Sequence, residues 1–182
     1  MAMTLITNSA ETDSTDLSSI VFNSGIDSTY KLYIFKFIDI NPATDTALLS
    51  FQANATDSTS YDETMTTTFF NALHSESGTS DEAVSYQASN DQAQGTAIQN
   101  LTRNIGNDAN SSVAGTMWLF NPSNTTYVKH FYSRINSHYH AEVTHDCFCS
   151  GYINTTTAID DIKFQMDDGN FDGTIKLYGV GS

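Results

Sequence analysis

The sequence predicts an all-β, two-sheet antiparallel sandwich of jelly-roll type, with about ten strands and little helix. Three observations carry this. Runs rich in β-branched and aromatic residues recur between clusters of Asn, Asp, Ser, Thr and Gly; helical periodicity is nearly absent; and the chain holds only two prolines. At 182 residues it suits one domain spanning 1–182, because sandwiches of this length usually enclose a single core. Apolar residues make up 39% and aromatics 12% of the chain, enough to fill that core and too many for a disordered segment.

The candidate strands follow in order. They are "MTLITN" near Leu5, "SSIVFN" near Val21, "YKLYIFKFIDI" from Tyr30, "ALLSFQA" from Ala47, "ETMTTTFFNALH" from Glu63 and "TAIQNL" near Ile98. After them come "SVAGTMWLFN" from Ser112, "TYVKHFYSRIN" from Thr126, "CFCSGYIN" from Cys147, "IDDIKFQM" from Ile159 and "GTIKLYGV" from Gly173. In the third, Leu32, Ile34, Lys36, Ile38 and Ile40 alternate with Lys31, Tyr33, Phe35, Phe37 and Asp39. Both faces are largely apolar, which reads as a central strand. In the last two strands Ile162, Phe164 and Met166, and then Ile175, Leu177 and Gly179, fall on one face each, as in a sheet with one wetted side. The intervening "DDGNFDG" is rich in residues that tolerate positive φ and reads as the turn of a C-terminal hairpin. "NATDSTSYDE" and "HSESGTSDEAVSYQASNDQAQG" read as long loops at one end of the sandwich.

Seven Lys and Arg against 21 Asp and Glu give a net charge of −14. With the cations scattered, this disfavours nucleic acid and anionic membranes as partners. The N-terminus lacks the basic and apolar regions of a signal peptide, and no run approaches a membrane span, so a cytoplasmic site of synthesis is expected. Five Asn-x-Ser/Thr triplets, at Asn54, Asn100, Asn110, Asn124 and Asn154, read as turns rather than glycan acceptors. Cys147 and Cys149 lie two apart on one strand, where a mutual disulfide would be strained, so free thiols are expected.

The densest group of potential ligands is "HYHAEVTHDCFC", with His138, His140, His145 and Cys147 within reach of one another on a strand pair. A metal held there is one reading, although no standard zinc spacing is matched; an exposed or intersubunit strand pair is the plainer one. Asp167, Asp168, Asn170 and Asp172 have the composition of a calcium loop without its spacing, and are read as turn formers. No GxSxG, HExxH or phosphate-cradling glycine loop is present, so neither catalysis nor a cofactor is expected. Among the aromatics, Trp118 within "TMWLF" is assigned to the core or a sheet face. Tyr61 and Tyr86, in the polar stretches, are the candidates for contact with a partner.

Three segments, "GIDSTYKLYIFKFIDINPATD", "LFNPSNTTYVKHFYSRINSHY" and "INTTTAIDDIKFQMDDGNFDGTIKLYGV", resemble a family of small virion proteins of tailed, marine-type bacteriophages, and the likeness spans nearly the whole chain. The resemblance implies a structural protein on the exterior of the particle with no catalytic residues. A decoration or cement protein of the outer capsid, trimeric and bound to the major capsid protein, is the first expectation. A tail-associated fibre-tip domain that recognises host glycan is the second.

Overall fold

The computed structural model describes residues 2–8, 17–78, 82–139 and 142–181. Among them run β1 (Met3–Asn8), β2 (Ile20–Phe22), β3 (Leu32–Pro42), β4 (Leu49–Ala55), β5 (Met65–Ser75), β6 (Ala83–Tyr86) and β7 (Ala93–Gly95). They are followed by β8 (Gln99–Asn100), β9 (Val113–Phe120), β10 (Lys129–Tyr139), β11 (Val143–Ile153), β12 (Ile159–Met166) and β13 (Phe171–Val180). The larger sheet has the order β1-β13-β3-β9-β10-β11-β5-β6, with β7 also on β5; the smaller is β2-β12-β4-β8. Every pairing is antiparallel.

Setting aside β5–β7 and β10–β11 leaves eight strands in nested pairs: β1 with β13, β2 with β12, β3 with β9 and β4 with β8. This is one long antiparallel ribbon rolled over two four-stranded sheets, the jelly-roll arrangement. The two insertions both extend the larger sheet. β10 and β11 form an unbroken hairpin from Lys129↔Ile153 to Tyr139↔Val143, and β11 pairs with β5 from Val143↔Ser75 to Ile153↔Met65. Strict alternation of buried and exposed positions along β10 explains the length of that hairpin, since a one-residue slip would turn every core side chain outward.

The core lies between the sheets. Phe164 of β12 stands at its centre, 5.1 Å from the Phe35 ring, 5.2 Å from Phe37 and 6.1 Å from Phe22. Phe51 joins it from β4 and meets Phe131 of β10 edge-on at 4.8 Å. Ile162, Phe164 and Met166 all face inward, as their alternation predicts.

Four expectations need correction. β12 and β13 lie in different sheets, so they form no hairpin. The Asp167–Asn170 turn is instead a corner crossing between sheets, held to the neighbouring β3–β4 corner: Leu48 N donates to Asp167 Oδ1 at 2.7 Å and Ala43 N to Asn170 O at 2.8 Å. Second, the longer polar stretch carries β6, a 3-10 turn at Ala88–Asn90 and β7 rather than a loop, because β5 offers an open edge for it to pair with. Third, β3 changes phase. A bulge between Phe37 and Ile40, with Asp39 at φ 52°, turns Ile40 onto the same buried face as Phe35 and Phe37. Gly173 of β13 lies against this bulge at φ 108°, where a Cβ would stand 2.5 Å from Asp39 O. Fourth, Asn54 and Asn100 lie within β4 and β8 rather than in turns.

Candidate functional site

The most distinctive surface is the outward face of the larger sheet, built by alternation. Along β9, β10, β11 and β5 the residues Met117, Ser133, Cys147 and Phe69 point inward, which sends Trp118, Tyr132, Arg134, Phe148 and Phe70 to the other side. Cross-strand register then aligns them. Lys36, Thr116, Arg134, Phe148, Phe70 and Tyr86 stand directly opposite one another across β3, β9, β10, β11, β5 and β6. At roughly 4.8 Å per strand that row is about 24 Å wide. Ile34, Trp118 and Tyr132 form the next row.

The side chains in these rows hold each other in place. Trp118 and Tyr132 stack at 4.6 Å, Phe120 stacks on Tyr132 at 5.6 Å, and Phe70 and Phe148 lie 4.7 Å apart with an interplanar angle of 4°. Cations cap the rings: the Arg134 guanidinium is 5.2 Å from the Phe148 centroid and Lys36 Nζ is 5.9 Å from Trp118. Arg134 is aimed by a two-pronged pair with Asp146, Nε donating at 3.2 Å and a terminal nitrogen at 2.8 Å, which raises its already high pKa. Lys36 Nζ donates to Thr116 Oγ1 at 2.8 Å. Phe70 at 41%, Tyr132 at 43% and Tyr86 at 64% remain exposed, so large apolar groups stand in solvent in a fixed arrangement.

At the end of this face nearest Phe120 a cleft of about 530 Å³ opens between Phe120, Asn121, Tyr127 and His130. Tyr127 is 70% exposed. Its backbone is fixed by Asn124 Oδ1, which accepts from Thr126 N at 2.7 Å and Tyr127 N at 2.8 Å. Beneath, Lys129 is fully buried, donating from Nζ to Tyr127 O at 3.0 Å and Thr155 O at 3.1 Å; burial lowers its pKa.

The residues singled out from sequence are dispersed. Tyr61 lies beside the outward side of the smaller sheet, its hydroxyl donating to Asp161 Oδ2 at 3.3 Å with Lys163 Nζ 4.9 Å from its ring. Burial and then Asp161 raise the pKa of that phenol. Tyr86 belongs to strand β6 rather than a loop; it joins the aromatic row and donates a hydrogen bond to Asp91, which raises its pKa. Tyr86 therefore belongs to the larger sheet while Tyr61 lies against the smaller one, and the two share no site. His145 pairs in register with Ser137 and points inward with Cys147, whereas His138, one residue on from Ser137, faces the other side. His140 lies outside the described residues.

His145 is buried, which lowers its pKa, with Arg103 adding to the effect. Cys147 and Cys149 are both free and buried; burial pushes the Cys147 thiol up to about 12 and that of Cys149 higher still. Such thiols are poor nucleophiles and poor ligands.

Sequence reasoning missed the array of Trp118, Tyr132, Phe148 and Phe70, and only Tyr86 of its members was singled out for contact. Alternation within "TYVKHFYSRIN" marks Tyr132 and Arg134 as a pair on one face, but cross-strand register alone brings Trp118 and Phe148 beside them. Comparison with protein-family models, with curated proteins and with solved structures found no match.

Proposed function

We propose that this chain is a non-enzymatic component of a tailed-bacteriophage particle, a decoration protein that docks on the major capsid lattice through the outward face of its larger sheet. The observation that carries the docking surface is the ordered row of Phe70, Phe148, Arg134 and Thr116 beside Trp118 and Tyr132. A half-buried Trp118 beside exposed Tyr132 and Arg134 supplies the residue types that dominate binding energy at protein interfaces, and their mutual stacking and pairing reduce the ordering entropy left for a partner to impose. The virion setting is supported by the three segments that resemble phage particle proteins. A net charge of −14 keeps so densely displayed a subunit soluble and turns it from packaged nucleic acid. Assembly as a trimer about a local three-fold belongs to the same reading, since three copies multiply weak contacts.

The test is add-back. Particles lacking the protein are incubated with purified chain and separated by sedimentation, and bound copies are counted. Wild type is expected to bind in fixed ratio to the capsid protein, and the double substitution Trp118→Ala, Tyr132→Ala to lose at least tenfold in affinity. Label confined to tails, or full binding by the double variant, overturns the proposal.

A second reading, a fibre-tip domain that recognises host glycan, is favoured by one observation. The Phe120–Tyr127 cleft combines aromatic rings with the Asn121 side chain in a space of sugar size. Glycan-array binding that is lost in Tyr127→Ala and kept in the Trp118 and Tyr132 variant selects this reading over the first.

A further inference from the structure

Three ligand-bearing side chains meet at the far end of the inserted strands. Glu76 follows β5 directly, His138 is the penultimate residue of β10, and Glu142 immediately precedes β11. Their nearest ligand atoms all lie within 4.8 Å of one another, and His138 Nε2 is 3.3 Å from Glu142 Oε2. Two atoms that share a tetrahedral zinc ion, each at about 2.0–2.1 Å from it, stand roughly 3.3 Å apart. The imidazole and one carboxylate are therefore already at the separation that a shared metal requires.

The surroundings orient these groups from behind. Ser111, only 2% exposed, places its Oγ 2.9 Å from His138 Nδ1, which occupies that nitrogen and leaves Nε2 turned toward the carboxylates. A metal-bound histidine commonly donates its far ring N–H to a carboxylate, carbonyl or water oxygen, and the Ser111 hydroxyl oxygen stands in that position. The backbone at His138 is tied on both sides, its N–H donating to Ser112 O at 3.1 Å and its carbonyl accepting from Gly106 N at 3.1 Å. Glu76 N donates to Glu142 O at 2.8 Å, which joins the two glutamates' segments.

Electrostatics point the same way. Two carboxylates so close repel each other, in a chain that already carries −14. A divalent cation relieves that repulsion.

We propose that Glu76, His138 and Glu142 form a binding site for a zinc-class divalent cation. One imidazole nitrogen with two carboxylates suits zinc, manganese or nickel over calcium, which takes oxygen donors. The ion is a structural clip. It fastens the β10–β11 hairpin to the end of β5 and leaves its remaining coordination to water. The site stands independently of the capsid-docking reading, since it involves none of the aromatic row.

The experiment uses the full chain, stripped with chelator and then titrated with zinc by calorimetry and by thermal unfolding. One zinc per chain is expected, with an unfolding midpoint that rises to saturation and returns when chelator is added. Calcium is expected to produce neither effect. Glu142→Gln and Glu76→Gln, both at exposed carboxylates, and Ser111→Ala are each expected to weaken zinc binding at least tenfold. His74→Ala is expected to leave binding intact; it removes the rival histidine, which pairs with Glu82 at 3.0 Å. Absence of saturable zinc binding by wild type, undiminished binding by Glu142→Gln, or loss of binding in His74→Ala overturns the proposal. The wild-type titration decides the matter even should a variant fail to fold.

Discussion

The two ends of the sandwich interior are built differently. Under β3, β12 and β2 the space is filled by phenyl rings meeting edge to face, with Phe164 touching Phe22, Phe35 and Phe37. Under β5, β10 and β11 apolar side chains such as Met65, Phe69, Phe131 and Ile135 share the inward positions with Thr67, Asn71, Ser133, Ser137 and His145, and with Cys147 and Cys149. Opposite, Gln99 of β8 serves as the hub: Oε1 accepts from Thr67 Oγ1 at 2.7 Å, and Nε2 donates to Asn90 O at 2.9 Å. Gln52 acts similarly, donating from Nε2 to Thr96 O and Ala97 O, each at 3.0 Å. The aromatic end is stabilised by area removed from water, which tolerates imperfect geometry. The polar end depends on completing its hydrogen bonds, and Asn71 Nδ2, Ser133 Oγ, Ser137 Oγ and His145 Nδ1 find no protein partner among the described residues. The inserted strands should therefore open before the jelly-roll frame does.

The largest effect should come from the aromatic end. Phe164→Ala empties the centre of the ring cluster and is expected to cost about 3–5 kcal/mol, read as a lowered urea midpoint. A loss below 1 kcal/mol would mean that the rings are not the keystone of the frame. Next is the polar hub. Gln99→Ala removes the acceptor of the Thr67 hydroxyl and the donor to the Asn90 carbonyl and is expected to cost about 1–3 kcal/mol. Because the damage lies under the insertions, Cys147 and Cys149 should then react with a thiol reagent faster than global unfolding permits; equal rates would show that both ends open together.

A pH dependence follows from His145. Burial holds its folded-state pKa below 6.5, so as pH falls through 6.5 the unfolded chain takes up a proton that the folded chain refuses, and stability declines on the acid side. Glu63 and Asp160 act oppositely, since burial raises their pKa and the folded chain holds more protons just above 4.5 and 3.8 respectively. His145→Gln isolates the first effect. Its stability relative to wild type is expected to improve as pH is lowered from 7 to 5, and a constant difference would refute the assignment.

The smallest effect, and of opposite sign, belongs to Ser133→Ala, which removes a buried hydroxyl lacking a protein partner. It should leave stability unchanged or raise it by up to about 1 kcal/mol. A clear loss would show that this hydroxyl is satisfied in solution.

Much of the frame was legible because strand alternation has a period of two and needs no knowledge of partners. Ile162, Phe164 and Met166 announce the inner face of β12, and Ile175 and Leu177 that of β13. The bulge at Asp39 was not legible, since the misphased Ile40 takes its place only against Gly173 of another strand. Nor was the separation of β12 from β13. A turn sequence such as "DDGNFDG" reverses the chain equally well within a sheet or between sheets, and the hydrogen bonds that decide it come from Leu48 and Ala43, over a hundred residues away. The candidate surfaces were less legible still. Trp118 and Phe148 are 30 residues apart, and His138 reaches Glu76 across 62.

The amino-acid sequence by itself determined the all-β class, the acidic charge, the free thiols and the inward rows of β12 and β13, because each follows from local periodicity or composition. Tertiary structure alone decided which strands share a sheet, that two insertions lengthen one of them, and that its outer face carries an ordered aromatic row. Pairing and register are settled by free energy summed over contacts distant along the chain, and no local pattern encodes that sum.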